Sequence, residues 1–369
     1  VSADIGKPTQ TGHYQDTRWW HVQNDMVVCD LCPRHCKLRE GVAGFCFVRQ
    51  NVGGKLKLST YGRSTGFCID PVEKKPLNHF YPGTSVLSFG TAGCNMGCKF
   101  CQAWEITKSR QVLDRLSQEA TPEMIAEAAV RLGCGSVAFT YNDPVIWAEY
   151  AIDTARACRA RGLKTIAVTA GYINEEPRRE FFEVMDAANV DLKGYTDDFY
   201  QHVTLAQIKP VLETLKWLKQ QSSVWLEITN LVIPGHNDNA DEIRKMCVWI
   251  RDEIGPEIPM HFTAFHPDFH MLETPRTPAS VLARCREIAM NEGMKYVYVG
   301  NVLDTKREST YCPACGELLI GRHYFDISTF QIREGCCRFC GAKIAGHFED
   351  EPGHWGTHRR PVNPSTLLR

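Results

Sequence analysis

From Val86 onward the chain alternates between two hydrophobic periods. Short apolar, β-branched runs are each followed by a longer segment in which apolar residues recur every three or four positions. The run "SVLSFGT" reads as a buried strand ending just before Cys94. "TPEMIAEAAVRLG" reads as a helix: Thr121 is a good N-cap, Pro122 suits the first helical position and Gly133 closes it. Ile125, Ala128, Ala129 and Leu132 hold its helical spacing. The pattern then repeats. "SVAFT" precedes a helix opened by "NDP" and ended at Gly162; "KTIAVT" precedes a helix after Pro177; "NVDLK" precedes one around "LAQIKPVLETLKWLKQ". "VWLEITNLV" is followed by "NADEIRKMCVWIRDEIG", "MHFTAF" by "TPASVLARCREIAMNEG", and "YVYVG" is a last strand.

Such alternation predicts parallel βα units. The expected fold is α/β: a partial or closed (βα) barrel of the TIM type, with small Cys-rich metal modules at both ends. A doubly wound open sheet competes with it, and periodicity does not separate the two. In a barrel, chemistry sits at the C-terminal ends of the strands. The polar and unusual residues fall there: Cys94, then "YNDP", "AGY", "DLKGY", "TNLVIPGHND" and "HPDFH".

Composition narrows the classes. The 369 residues are 43% hydrophobic and 23% charged, enough for a sizeable core. Lys plus Arg number 42 against 43 Asp plus Glu, so there is no basic footprint for nucleic acid or for a membrane surface. No apolar run approaches the roughly 20 residues of a membrane span. The first residues lack the apolar core of a signal peptide, and the opening Val is consistent with trimming or an alternative start. There are 17 cysteines, and most fall in three tight groups built on C-x2-C. Without a signal peptide, that clustering favours metal thiolates in a reducing cytoplasm over disulfides. Cys68, Cys134, Cys158, Cys247 and Cys285 stand in apolar or helical contexts and read as small buried hydrophobes.

The central group, Cys94, Cys98 and Cys101 in "GTAGCNMGCKFCQAW", has three thiols where a structural zinc wants four ligands and a cubane usually takes four. Three thiolates on a [4Fe–4S] cluster leave one iron open to a small chelating molecule. A partial zinc site or three structural cysteines is the plainer alternative. The spacing, the preceding strand, Phe100 and the following (βα) pattern together resemble the radical S-adenosylmethionine (SAM) superfamily. That resemblance implies SAM on the open iron, one-electron cleavage to a 5′-deoxyadenosyl radical, and hydrogen abstraction from a substrate.

"KKPLNHFYPGTSVLSFGTAGCNMGCKFCQAWEI", "TYNDP", "VDLKGY", "EITNLVIPGHND", "HFTAFHPDF" and "YVYVGN" carry a closer resemblance. They look like the AmmeMemoRadiSam system radical SAM enzymes, which are similar to pyruvate formate-lyase activating enzymes. The chain departs from that family at Ala103 and Ala170, where Asn is usual. By resemblance, Tyr141, Asn142 and Asp143 lie near the methionyl amino group, although Asp143 also suits a helix N-cap before Pro144. Asp191 and Lys193 would contact the ribose hydroxyls and the carboxylate, or form a structural ion pair. Val232 and Pro234 in "VIPG" would touch the adenine. His261 would reach the ribose, or be a hydrogen-bonded core histidine. His266 and His270, later in that loop, are further candidates to serve the substrate.

Two groups flank the centre. Cys312, Cys315, Cys337 and Cys340 form two C-x2-C-G turns, the pattern of a zinc ribbon or rubredoxin-like knuckle pair, with structural Zn expected and mononuclear iron as the alternative. Cys336 breaks that spacing. Cys29, Cys32, Cys36 and Cys46 suit either Zn or a second [4Fe–4S] cluster. The expected division is an N-terminal Cys-rich segment over 1–80, a radical SAM barrel over 81–305, the zinc-ribbon module over 306–346 and a loosely ordered tail over 347–369. The expected function is SAM cleavage with hydrogen abstraction from an unknown protein or small molecule on a glycyl-radical-activase-like core. Peptide or small-molecule modification with an auxiliary cluster is one alternative, and a non-catalytic metal scaffold another. Implied partners are a one-electron reductant such as a flavodoxin or ferredoxin and, from the family name, a Memo-like protein.

Overall fold

The computed structural model describes residues 14–116 and 118–363. At its centre run seven parallel strands: β1 (Ser85–Gly90), β2 (Ser136–Phe139), β3 (Lys164–Thr169), β4 (Ala187–Asp191), β5 (Trp225–Val232), β6 (Met260–Ala264) and β7 (Val297–Gly300). Between successive strands lie α1 (Pro122–Arg131), α2 (Ala148–Arg159), α3 (Glu175–Glu183), α4 (Ile208–Gln221), α5 (Ala240–Trp249) and α6 (Ala279–Asn291). The expected N-cap of α1 is present, with Thr121 Oγ1 accepting from the Met124 amide at 3.3 Å. α3 starts at Glu175, so Pro177 lies inside its first turn and not before it. A first-turn proline is tolerated because the N–H it lacks would have had no helical partner.

Each strand pairs in parallel with the next in sequence, so spatial order follows chain order with no reversal. A doubly wound sheet reverses at a switch point, and this one does not. The sheet continues from β1 through the antiparallel strands Gly66–Pro71 and Arg360–Val362. Among the described residues β7 pairs with neither, so the arrangement is open: the partial form of the expected (βα) architecture.

Alternate residues of each strand face opposite sides. Leu87, Phe89, Val137, Phe139, Val190, Ile228 and Phe262 share one core with the helix residues Ile125, Ala128, Phe181, Leu215, Ile243 and Leu282. The other face is more polar, with buried Ser88, Ala138, Asn189, Glu227, His261 and Tyr298. The segment around residues 76–79 fills the N-terminal half of that face. Asn189 Nδ2 donates to the Pro76 carbonyl at 2.8 Å, and the amides of Asn78 and His79 donate to Glu227 at 3.0 and 2.8 Å.

The four C-terminal cysteines flank a hairpin, Leu318–His323 with Asp326–Phe330. Leu319, Ile320, Ile332 and Ile344 pack there against Tyr296 and Tyr298 of the β7 region. Residues 347–363 depart from the expected loose tail. The Tyr81 amide donates to His347 at 2.8 Å, the Trp355 amide to Gly83 at 3.0 Å, and Arg360–Val362 forms the sheet edge. Their Pro and Gly content is compatible with order because backbone partners from residues 79–83 and a strand edge are available. Residues 1–13 and 364–369, at the two expected terminal segments, lie outside the described residues.

Candidate active site

The loop after β1 carries the three-cysteine motif, and its path is held from two sides. Asn142, just after β2, accepts from the Thr91 amide at 2.9 Å through Oδ1 and donates to the Gly93 carbonyl at 2.9 Å through Nδ2. Gly90 makes that approach possible: a Cβ there would stand 2.3 Å from the Thr140 carbonyl oxygen and 2.7 Å from Asn142 Oδ1. On the other side the amides of Gly97 and Lys99 donate to Thr204 and Val203 at 2.8 and 2.9 Å.

Cys94, Cys98 and Cys101 line one cavity of about 380 Å³ together with Tyr141, Asn142, Asp143, Asp191 and Lys193. That is within the usual size of a small-molecule site. It opens at the C-terminal ends of β2, β3 and β4, where a (βα) fold places its chemistry. Burial pushes the Cys98 thiol up to about 12 and raises Cys94 as well. These thiols therefore need cationic partners to ionise, which suits a thiolate-bound iron–sulfur cluster. Lys193 supplies one fixed charge. Burial works against its ammonium, but Asp191 at 2.8 Å and the neighbouring Cys98 outweigh that and raise its pKa. The residues present thus fit a [4Fe–4S] cluster with SAM beside it.

The candidates divide by what holds them. Asp143 both lines the cavity and caps the following turn: it accepts from the Val145 amide at 3.1 Å, Thr169 Oγ1 at 2.8 Å and the Ala170 amide at 2.9 Å. Burial raises its carboxyl, and those three donors oppose the rise. Tyr141 has φ +71, a conformation that costs a non-glycine residue roughly 1–3 kcal/mol and concentrates at functional sites. Its hydroxyl is committed to Asp70 at 3.0 Å. Asp191 and Lys193 are at once an ion pair and cavity wall.

Val232, Pro234 and His261 are not among the lining residues. Leu231 lines the wall instead, because its neighbour Val232 points to the helix side, where it is fully buried. His261 lies in the other half of the strand layer, Nε2 at 2.7 Å from Glu227 and its ring stacked on Tyr298. That is the core-histidine arrangement. His266 is exposed at the rim, 3.2 Å from Gln102, and His270 donates its amide to Lys99 at 3.0 Å. Ala103 and Ala170 both border the cavity. Thr107, Lys108 and Gln102 also line it and were not singled out from the sequence. The short helix Trp104–Thr107 turns Thr107 and Lys108 back toward the cysteines, and no local signal marks that turn. Thr107 Oγ1 stands 3.1 Å from Cys101 Sγ, and Lys108 Nζ donates to the Met96 carbonyl.

Away from this cavity, the sulfurs of Cys312, Cys315, Cys337 and Cys340 all lie within 4.8 Å of one another. Cys312 and Cys340 are 3.6 Å apart, Cys315 and Cys337 3.8 Å. No helix among the described residues is long and apolar enough to cross a membrane.

A parallel, singly wound α/β sheet with three cysteines in the loop after its first strand is the arrangement that the radical SAM resemblance implies. Sequence comparison agrees: the radical SAM superfamily profile matches residues 89–247. An uncharacterized protein of Methanocaldococcus jannaschii is 42% identical over 326 residues, 88% of this chain and 96% of that protein. Pyruvate formate-lyase 1-activating enzyme of Escherichia coli is 26% identical over 179 residues, 46% of this chain and 70% of that enzyme. Among solved structures, a radical SAM methyltransferase from Sphaerobacter thermophilus superposes with a TM-score of 0.46 at 17% identity, over 65% of this chain and 71% of that one. The chain belongs to the radical SAM superfamily and is an enzyme.

Proposed function

We propose that Cys94, Cys98 and Cys101 ligate a [4Fe–4S] cluster whose fourth iron takes SAM, and that the enzyme abstracts hydrogen from a protein or small-molecule substrate on an activating-enzyme-like core. The observation that carries this is the single cavity shared by the three thiols, Asp143 and the Asp191–Lys193 pair. Bound there, the cluster and SAM supply a 5′-deoxyadenosyl radical. The chain's own residues bind and orient. Lys193, held charged by Asp191, offers a fixed ammonium to a carboxylate. Asp191, one-third exposed beside it, accepts from hydroxyls. Asp143, fixed by three donors, presents its carboxylate edge at the cavity wall for an ammonium group. Asn142 acts through the backbone, holding Thr91–Gly93 so that Cys94 enters the cavity at a set angle. Leu231, Val168 and Phe100 give apolar wall that limits water around a reactive species.

The same reading assigns structural zinc to the C-terminal four cysteines, a one-electron reductant to the cluster and, by family resemblance, a Memo-like protein partner. Residues 306–346 form that module on this reading, and residues 81–305 the catalytic body. Modification of a peptide or small molecule, and a non-catalytic scaffold, are the competing readings.

The test is anaerobic reconstitution, reduction and addition of SAM, with 5′-deoxyadenosine measured by chromatography for the wild type and Cys98→Ala. Product from the wild type alone is expected. A Cys98→Ala variant that still makes product, or a wild type that assembles no cubane, overturns the assignment. A fully assembled cubane that leaves SAM intact with every substrate and partner tried favours the scaffold.

A further inference from the structure

We propose that Cys29, Cys32, Cys36 and Cys46 hold a second iron–sulfur cluster of the [4Fe–4S] type, packed against the backbone of the three-cysteine loop.

The ground is a contrast in sulfur geometry. Around one zinc ion four thiolates sit at about 2.3 Å, which puts sulfur pairs at about 3.8 Å and leaves no internal space. The C-terminal four match that spacing, with sulfur pairs at 3.6 and 3.8 Å. They are the one group of three or more metal-type side chains, among the described residues, whose ligand atoms all lie within 4.8 Å of one another. The N-terminal four are not so gathered, yet all of them line a single enclosed cavity of about 20 Å³. A water needs roughly 10–15 Å³ on that measure, so the four thiols surround a space that four ligands of a single ion would close. In a cubane each thiolate binds a different iron corner, and the sulfurs stand apart around the cluster.

The walls suit such a group. Leu31, Leu38, Phe45 and Ile146 supply apolar surface. Arg49, 1% exposed, stands beside the thiols with its guanidinium tied to Glu149 and the Ile146 carbonyl. The backbone at Leu31, Arg34 and Val48 favours the thiolate forms of Cys29, Cys32 and Cys46; backbone dipoles near the sulfurs are one way a protein tunes a cluster. Gly44 lines the same cavity beside Cys36.

The site abuts the first. Gly93, immediately before Cys94, lies so close that a Cβ would stand 2.2 Å from the Cys46 carbonyl oxygen. Asn95 of the three-cysteine loop lines the N-terminal cavity, and Arg34 donates to its carbonyl.

The experiment uses the full chain with Cys94, Cys98 and Cys101 all replaced by Ala. It is reconstituted anaerobically with iron and sulfide, and iron, acid-labile sulfide and zinc are counted per chain. The reduced protein is then examined by electron paramagnetic resonance. About four iron and four sulfide are expected in this variant and about eight of each in the wild type. A second variant, Cys32→Ser with Cys36→Ser, is expected to keep about four iron, those of the three-cysteine site. Zinc in place of iron and sulfide in the triple variant overturns the proposal, and so does a triple variant with no metal beyond the C-terminal ion. Four iron in the wild type and none in the triple variant would sink this proposal alone. Four in both would leave it standing and sink the three-cysteine assignment.

Discussion

The two four-cysteine regions use the same C-x2-C unit and fold it in opposite ways. At the C-terminal end each pair is a closed knuckle: the Gly316 amide donates to Cys312 and the Gly341 amide to Cys337, both at 2.9 Å, with the glycines at φ +78 and +75. Cys315 and Cys340 are exposed. At the N-terminal end Cys29 closes a strand, Cys32 and Cys36 follow in a turn, and Cys46 arrives from another loop. Cys29, Cys32 and Cys46 are buried, Cys36 is half-buried, and a buried arginine stands beside them. The C-terminal site is made by its own turns. The N-terminal site is made by the fold around it, so spacing alone does not set how many metal atoms a cysteine group encloses.

Each region also has a buried arginine, and the two differ in a way that can be broken. Arg49→Met removes the ion-pair partner of the buried Glu149 side chain, and is expected to cost about 3–5 kcal/mol. Denaturant titration checks it, and adding Glu149→Leu should recover much of the loss.

His79 comes next. Its Nδ1 lies 2.6 Å from the Ala345 carbonyl, so it carries the proton there, and Nε2 accepts from the Tyr298 hydroxyl. Burial lowers its pKa from 6.5 to about 4; Glu227 opposes this, and Arg322 and His261 add to it. Between those values the unfolded chain binds a proton that the folded chain refuses. Stability therefore falls as pH drops from 6.5 toward 4, by up to about 3 kcal/mol, and flattens below. His347, also lowered by burial, acts in the same direction. His79→Gln should flatten most of the slope of stability against pH; an unchanged slope would show that the dock between residues 79 and 345 does not titrate.

Arg322, in the C-terminal hairpin, donates to the Asn78 carbonyl at 2.7 Å and Thr310 at 2.8 Å, with Glu73 more distant at 3.9 Å. Burial pushes the Glu73 carboxyl up to about 7, with Arg322 drawing it down. Its removal thus strands mainly neutral acceptors, and Arg322→Met is expected to cost about 1–3 kcal/mol, less than Arg49→Met. Equal losses would erase the contrast. The smallest effect belongs to Cys336→Ser. Cys336 lies outside the four gathered sulfurs, so the metal content of that site should stay the same and stability change by no more than about 0.5 kcal/mol.

Much of the candidate cavity was legible because its signals are local. Cys94, Cys98 and Cys101 belong to one loop, Asp191 and Lys193 are two residues apart at a strand end, and Asp143 precedes a proline. Other placements rest on contacts that no local signal contains. Val232 was drawn toward the cavity by its loop, but strand alternation gives that face to Leu231. Asn142 lines the cavity while its amide is spent on the Thr91–Gly93 backbone, a partnership across about fifty residues. Lys108 and Thr107 reach the cysteines only through the return of a short helix.

The amino-acid order by itself determined what depends on near neighbours: the βα alternation, the helix caps, the three-thiol loop and the two C-terminal knuckles. These follow from periodicity, turn chemistry and the reach of a thiol a few residues away. Tertiary structure decided what depends on pairing between distant strands. It set the unreversed strand order and the open edge, the strand formed by Arg360–Val362, the commitment of His261 to Glu227 and the spread of the N-terminal thiols. The physical reason is that register and burial arise only when separate elements meet, and no short window of sequence contains both partners.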